Sequence, residues 1–123
     1  MRGALKALHS RGAPLCYTPQ NVGEFWNVST CPVERNGYGL SILEADEEVR
    51  RIERVFLLLQ DTETIYHEWR RLVMTHFVSG VQVHDAHLVA AMNAHGVTHL
   101  LTLNARDFDR YSGIMAVHPK DVI

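Results

Sequence analysis

The stretch from Val83 to Tyr111, VHDAHLVAAMNAHGVTHLLTLNARDFDRY, decides the fold. Its first half reads as an apolar helix opened by Asp85. The small residues Ala86, Ala90, Ala91 and Ala94 beside Leu88, Val89 and Met92 predict that this helix is buried close to a sheet. Gly96 is the stop signal, an apolar strand follows from about Thr98 to Leu103, and a polar loop carries Asn104 and Asp107. In such a helix, loop, strand, loop unit the helix start and the strand end share one edge of a sheet, where open α/β folds bind ligands. Asp85 and Asp107 are therefore expected to converge.

Outward from this block the chain alternates short apolar runs with helical periodicity. Ala4, Leu5 and Leu8 mark a short helix ended by Gly12 to Pro14, and Leu15 to Tyr17 reads as a brief strand. Thr18-Pro19 is a strong helix start, and the helix it opens, to about Ser29, carries Val22, Phe25 and Trp26 on one side with Glu24 beside them. A loop from Thr30 to Gly39 leads to Ser41 and Glu44, a capping box. Ile42, Ala45, Val49, Ile52, Phe56 and Leu59 then predict one long amphipathic helix ending near Gln60, with Arg50, Arg51 and Arg54 on its solvated face. Asp61 or Thr62 caps a further helix through Ile65, Trp69, Leu72, Val73 and Phe77 to Ser79-Gly80, forming a hairpin with the helix before it. Ile114 to Val117 is the last expected strand.

With 123 residues and 46% hydrophobic content, a single domain spanning 1–123 with a modest core is expected. The net charge of −2 supplies no general attraction to nucleic acid, so RNA binding would rest on local arginines and metal. Cys16 and Cys31 lack a paired metal-ligand spacing and suit a reducing compartment. With no leader and no membrane-spanning run visible, a cytoplasmic protein is expected.

Glu24, Asp85 and Asp107, with Asn104 nearby, place three carboxylates on separate elements. Clustered carboxylates bind magnesium or manganese, which activate water and neutralise charge on a phosphodiester. Taken singly among 14 acidic residues, each has an ordinary role: a helix cap at Asp85, a turn at Asp107, a surface helix position at Glu24. His84, His87, His95 and His99 form a rival constellation, but no HExxH spacing occurs and His95 lies at the far end of the helix. Patterns for a nucleophilic serine, a P-loop or a dinucleotide fingerprint are absent.

The segments TPQNVGEFWNVSTCP, VSGVQVHDAHLVAAMNAHGVTHLLTLNARDF and RYSGI strongly resemble PIN-domain proteins, specifically the VapC-type toxin ribonucleases of bacterial toxin–antitoxin pairs. The resemblance implies a PIN-like three-layer α/β fold, a short parallel sheet wrapped by helices with a magnesium or manganese site at the carboxyl ends of its strands. It assigns Glu24, Asp85 and Asp107 as metal-binding and catalytic acids, and Thr102, Asn104 and His84 as polar groups around them. Arg106 and Arg110 become candidates for RNA phosphate contact.

One departure stands out: no Asp-Thr-Asn, and no apolar strand leading to one, precedes Asp46. The family's first strand is central, between the strands near Leu15 and Leu101, so an N-terminally shortened form with a partial acidic site is expected, its two neighbouring strands pairing directly. The leading expectation is a metal-dependent endoribonuclease with RNA as substrate, a cognate antitoxin and a homodimeric state. The alternative is a non-catalytic, degenerate PIN domain that binds an antitoxin or itself.

Overall fold

The computed structural model describes residues 2–122. It is an α/β structure with five α-helices and short parallel strands, and its contacts divide into two compact units, Pro14–Gln60 and Met1–Ala13 with Asp61–Ile123. Helix α1 (Arg2–Ser10) opens the chain. The unit Pro14–Gln60 contains β1 (Cys16–Tyr17), α2 (Pro19–Thr30), α3 (Ile42–Val55) and β2 (Leu57–Leu58). The remaining elements are α4 (Glu63–Thr75), α5 (Val83–His95), β3 (His99–Leu101) and β4 (Met115–Val117).

Within Pro14–Gln60 both helices start on full capping boxes. Thr18 Oγ1 accepts from the Asn21 N–H at 3.1 Å while Asn21 Oδ1 accepts from the Thr18 N–H at 2.9 Å. Ser41 and Glu44 repeat the exchange at 3.1 and 2.9 Å. Each box satisfies donors that a helix N-terminus otherwise leaves open. The connecting loop folds back on the end of α2, where the N–H groups of Tyr38, Gly39 and Leu40 donate to the carbonyls of Val28, Cys31 and Ser29 at 3.1, 2.9 and 2.8 Å. Gly37 permits that approach, since a Cβ there would lie 2.0 Å from the Cys31 carbonyl oxygen.

The helix expected to reach Gln60 stops at Val55. Phe56 is extended (φ −103°, ψ 150°), and Leu57–Leu58 pair in parallel with Cys16–Tyr17. The apolar run of residues 55–59 fits a buried helix or a strand equally well by periodicity, and the free hydrogen-bonding edge of β1 selects the strand. The strand near Leu15 thus pairs with β2, and the strand near Leu101 pairs with β4.

In the other unit, α4 and α5 pack as a helical hairpin. Ile65, Leu72, Val78, Ala86, Val89, Ala90, Ala91, Phe108 and Tyr111 make one buried cluster between and beside these helices. The alanines of α5 leave room for close approach, and its apolar surface accounts for five buried residues, Ala86 and Val89 to Met92. Polar clips fix the hairpin: Trp69 Nε1 donates to the Val83 carbonyl at 2.9 Å, and Glu68 accepts from Arg71 at 2.7 and 2.8 Å and from Asn93 at 2.8 Å. Gly96 ends α5 in the left-handed region (φ 71°), as its sequence position predicts. The chain then runs back as β3, which pairs in parallel with β4 through Leu100↔Ala116 and its neighbours. Arg11 Nη2 donates to the Val122 carbonyl at 2.9 Å, tying the end of α1 to the C-terminal turn.

Candidate functional site

The site grows from the return of the chain between α5 and β3. A helix running one way and a strand running back put the start of α5 and the exit of β3 at the same end. Asp85 sits in the first turn of α5, half-buried. It does not open the helix as expected: a 3-10 turn over Gly80–Gln82 leads directly into Val83, so Asp85 is its third residue. There it faces the partial positive charge of the helix N-terminus, which favours a carboxylate.

Beyond β3, Thr102 Oγ1 accepts from the Asn104 N–H at 3.1 Å and bends the chain into a 3-10 turn, Ala105–Phe108. Phe108 is buried and anchors that turn, while its neighbour Asp107 is exposed. Thr102 and Asn104 thus shape the backbone that carries Asp107.

Two contacts hold the acid-bearing segments together. Arg110 Nη2 donates to Gln82 Oε1 at 3.1 Å, linking the end of the Asp107 turn to the residue before α5. Between them Tyr111 is buried, its ring edge-on to His76 at 5.0 Å and tilted against Phe108 at 6.5 Å. Burial pushes the Tyr111 phenol above its ordinary pKa; the positive charge of Arg110 acts against this and the negative charge of Asp85 adds to it. Both charges therefore act on one hydroxyl.

The other candidates are dispersed. Glu24 belongs to the unit Pro14–Gln60, exposed on α2 and accepting from Gln20 Nε2 at 3.0 Å. His84 is exposed beside Asp85, His87 approaches Asp61 at 3.9 Å, His95 lies in the last turn of α5, and His99 is on β3 with its Nδ1 2.9 Å from Thr98 Oγ1. Arg106 is exposed on the Asp107 turn. Cys16 and Cys31 are both free thiols.

Carboxylate oxygens are the donors that magnesium and manganese prefer, and magnesium is commonly held by one or two carboxylates completed by water and phosphate. Asp85 and Asp107 fit in donor type and stand at the lower limit in number. Among the described residues no group of three or more His, Cys, Asp or Glu side chains is arranged to hold a metal ion, and no helix is long and apolar enough to cross a membrane.

Sequence reading missed Gln82, Tyr111 and the structural role of Arg110. Gln82 and Arg110 are 28 residues apart, and nothing local signals their bond. No protein-family model matches the chain, and no curated protein matches it.

Proposed function

We propose that the chain is a VapC-like PIN-domain endoribonuclease whose metal-dependent chemistry rests on Asp85 and Asp107. The observation that carries this reading is the Gln82–Arg110 hydrogen bond, which closes the start of α5 onto the turn after β3 and brings both acid-bearing segments to one edge.

Asp85 and Asp107 would hold the cation, which when bound lowers the pKa of a water and offsets charge on the phosphodiester. The first turn of α5 fixes the position of Asp85. Exposed Asp107 leaves its side of the edge open to a backbone phosphate, and Arg106, exposed on the same turn, offers that phosphate a counter-charge. Arg110 is engaged with Gln82 and acts first to position the turn. In the hydrolysis, water oxygen bonds to phosphorus, the 3′ oxygen leaves and takes up a proton, and the ends are 3′-hydroxyl and 5′-phosphate.

The shortage of a third ligand among the described residues favours a second reading, a non-catalytic PIN-like protein that binds an antitoxin or a second copy. Manganese-dependent cleavage of a structured RNA by the 123-residue chain, run beside Asp85→Asn, separates them. We expect cleavage that falls at least a hundredfold in the variant. No cleavage by either, together with co-purification of a small basic protein, would establish the second reading instead.

A further inference from the structure

Phe77 is the residue that folding explains least. It follows the C-cap of α4 with φ 51°, a left-handed backbone. The Val78 N–H reaches back to the Val73 carbonyl at 3.0 Å, the bond of a Schellman ending, in which the Phe77 position ordinarily carries glycine. A side chain there costs stability. The ring recovers none of it by burial, since it is 85% exposed, more than any other large hydrophobic residue described.

Its surroundings suggest what the ring is for. The preceding residue, His76, packs against Tyr111, and the same hairpin tip ends at Gln82, which accepts from Arg110. The tip therefore borders the edge carrying Asp85 and Asp107. A cation stands at the tip, Arg110 hydrogen-bonded to Gln82, and Arg70 is exposed on α4. Arg71, in contrast, is held by Glu68. An exposed aromatic ring on a tip that also holds an arginine matches the chemistry of unpaired nucleic acid, whose bases stack and whose phosphates need counter-charge.

We propose that Phe77 is a stacking platform that holds one unpaired base of the RNA beside the Asp85–Asp107 edge. It rests on the ribonuclease reading above and adds a positioning residue and a preference for single-stranded substrate.

The test is binding of a labelled single-stranded RNA of mixed sequence to the 123-residue chain in an Asp85→Asn background, so that affinity is read without cleavage. Phe77→Tyr should bind like the parent, whereas Phe77→Leu and Phe77→Gly should bind about tenfold more weakly, the fold-change of one lost base–ring stack. Phe77→Gly should also melt at a higher temperature, because glycine relieves the left-handed strain, so its weaker binding is not a folding defect. Equal binding by Phe77→Leu overturns the proposal in favour of an apolar protein contact shared with exposed Met74 and Val81. Equal binding by Phe77→Gly, or no RNA binding by the parent, overturns it outright. Absence of cleavage by the chain with native Asp85 tests the hydrolytic reading separately and leaves the binding series readable.

Discussion

The two units are held together by different kinds of interaction. The unit Met1–Ala13 with Asp61–Ile123 closes a cluster of nine buried residues around α4 and α5. In Pro14–Gln60 the buried apolar side chains are Ala45, Val49 and Leu59, while Leu57 and Leu58 stay 65% and 39% exposed. That unit also buries the Ser29 hydroxyl without a hydrogen-bond partner, an arrangement that costs about 1–3 kcal/mol. What holds it is local and directional: two capping boxes and the loop hydrogen bonds onto the end of α2. A core resists by the area it removes from water, whereas a set of directional bonds resists only while its geometry is kept.

Truncating a leucine in each unit tests that contrast most severely. Leu72→Ala, inside the nine-residue cluster, should cost about 3–5 kcal/mol in urea unfolding, while Leu59→Ala should cost about 2 kcal/mol, having fewer buried neighbours to leave behind. Equal losses would break the comparison. Next in size, Gly37→Ala should destabilise Pro14–Gln60 by about 1–3 kcal/mol, since the added methyl meets the Cys31 backbone and forces the loop off α2. Hydrogen exchange should show the amides of Tyr38, Gly39 and Leu40 losing protection while those of α5 keep theirs. Loss spread over both units would mean they unfold as one.

The smallest effect is electrostatic and sharpens the same contrast. Hydrogen bonds from Arg71 hold the Glu68 carboxyl below the usual range, against burial and with help from Asn93. The Ser41 backbone and then its side chain do the same for Glu44. A depressed carboxylate favours folding above its unfolded pKa, and that contribution disappears as pH falls through its folded pKa. The urea midpoint should be level near neutrality and fall below about pH 4–5, where unperturbed glutamate titrates. Glu68→Gln should remove part of that slope, with a loss at pH 7 of roughly 0.2–1 kcal/mol for so exposed an arginine partner.

Much of the architecture is legible in local chemistry. Thr18-Pro19, Ser41 with Glu44, Thr62 and Gly96 each act where their side chains or backbone freedom predict. Misreadings cluster where periodicity is silent. The run through Leu59 looks helical until β1 offers it a partner, and Phe77 reads as a core position because left-handed backbone at a phenylalanine has no sequence signal. The direction of α5 and the return of the chain as β3 were readable, because the apolar helix pattern, the Gly96 stop and the apolar strand pattern are all local. Gln82 and Tyr111 were not, since their roles depend on contacts that only the folded hairpin creates.

The end of α3 has a consequence for handling the protein. Val55 to Leu59 is an unbroken apolar run without proline or charge, and Leu57 and Leu58 within it form a strand with both side chains exposed. Such a segment is a template for cross-β association between copies. Arg54 and Asp61 flank it as the charges that keep copies apart. Concentrated or gently heated samples would therefore fail by precipitation from this segment, while the α4–α5 core was still folded.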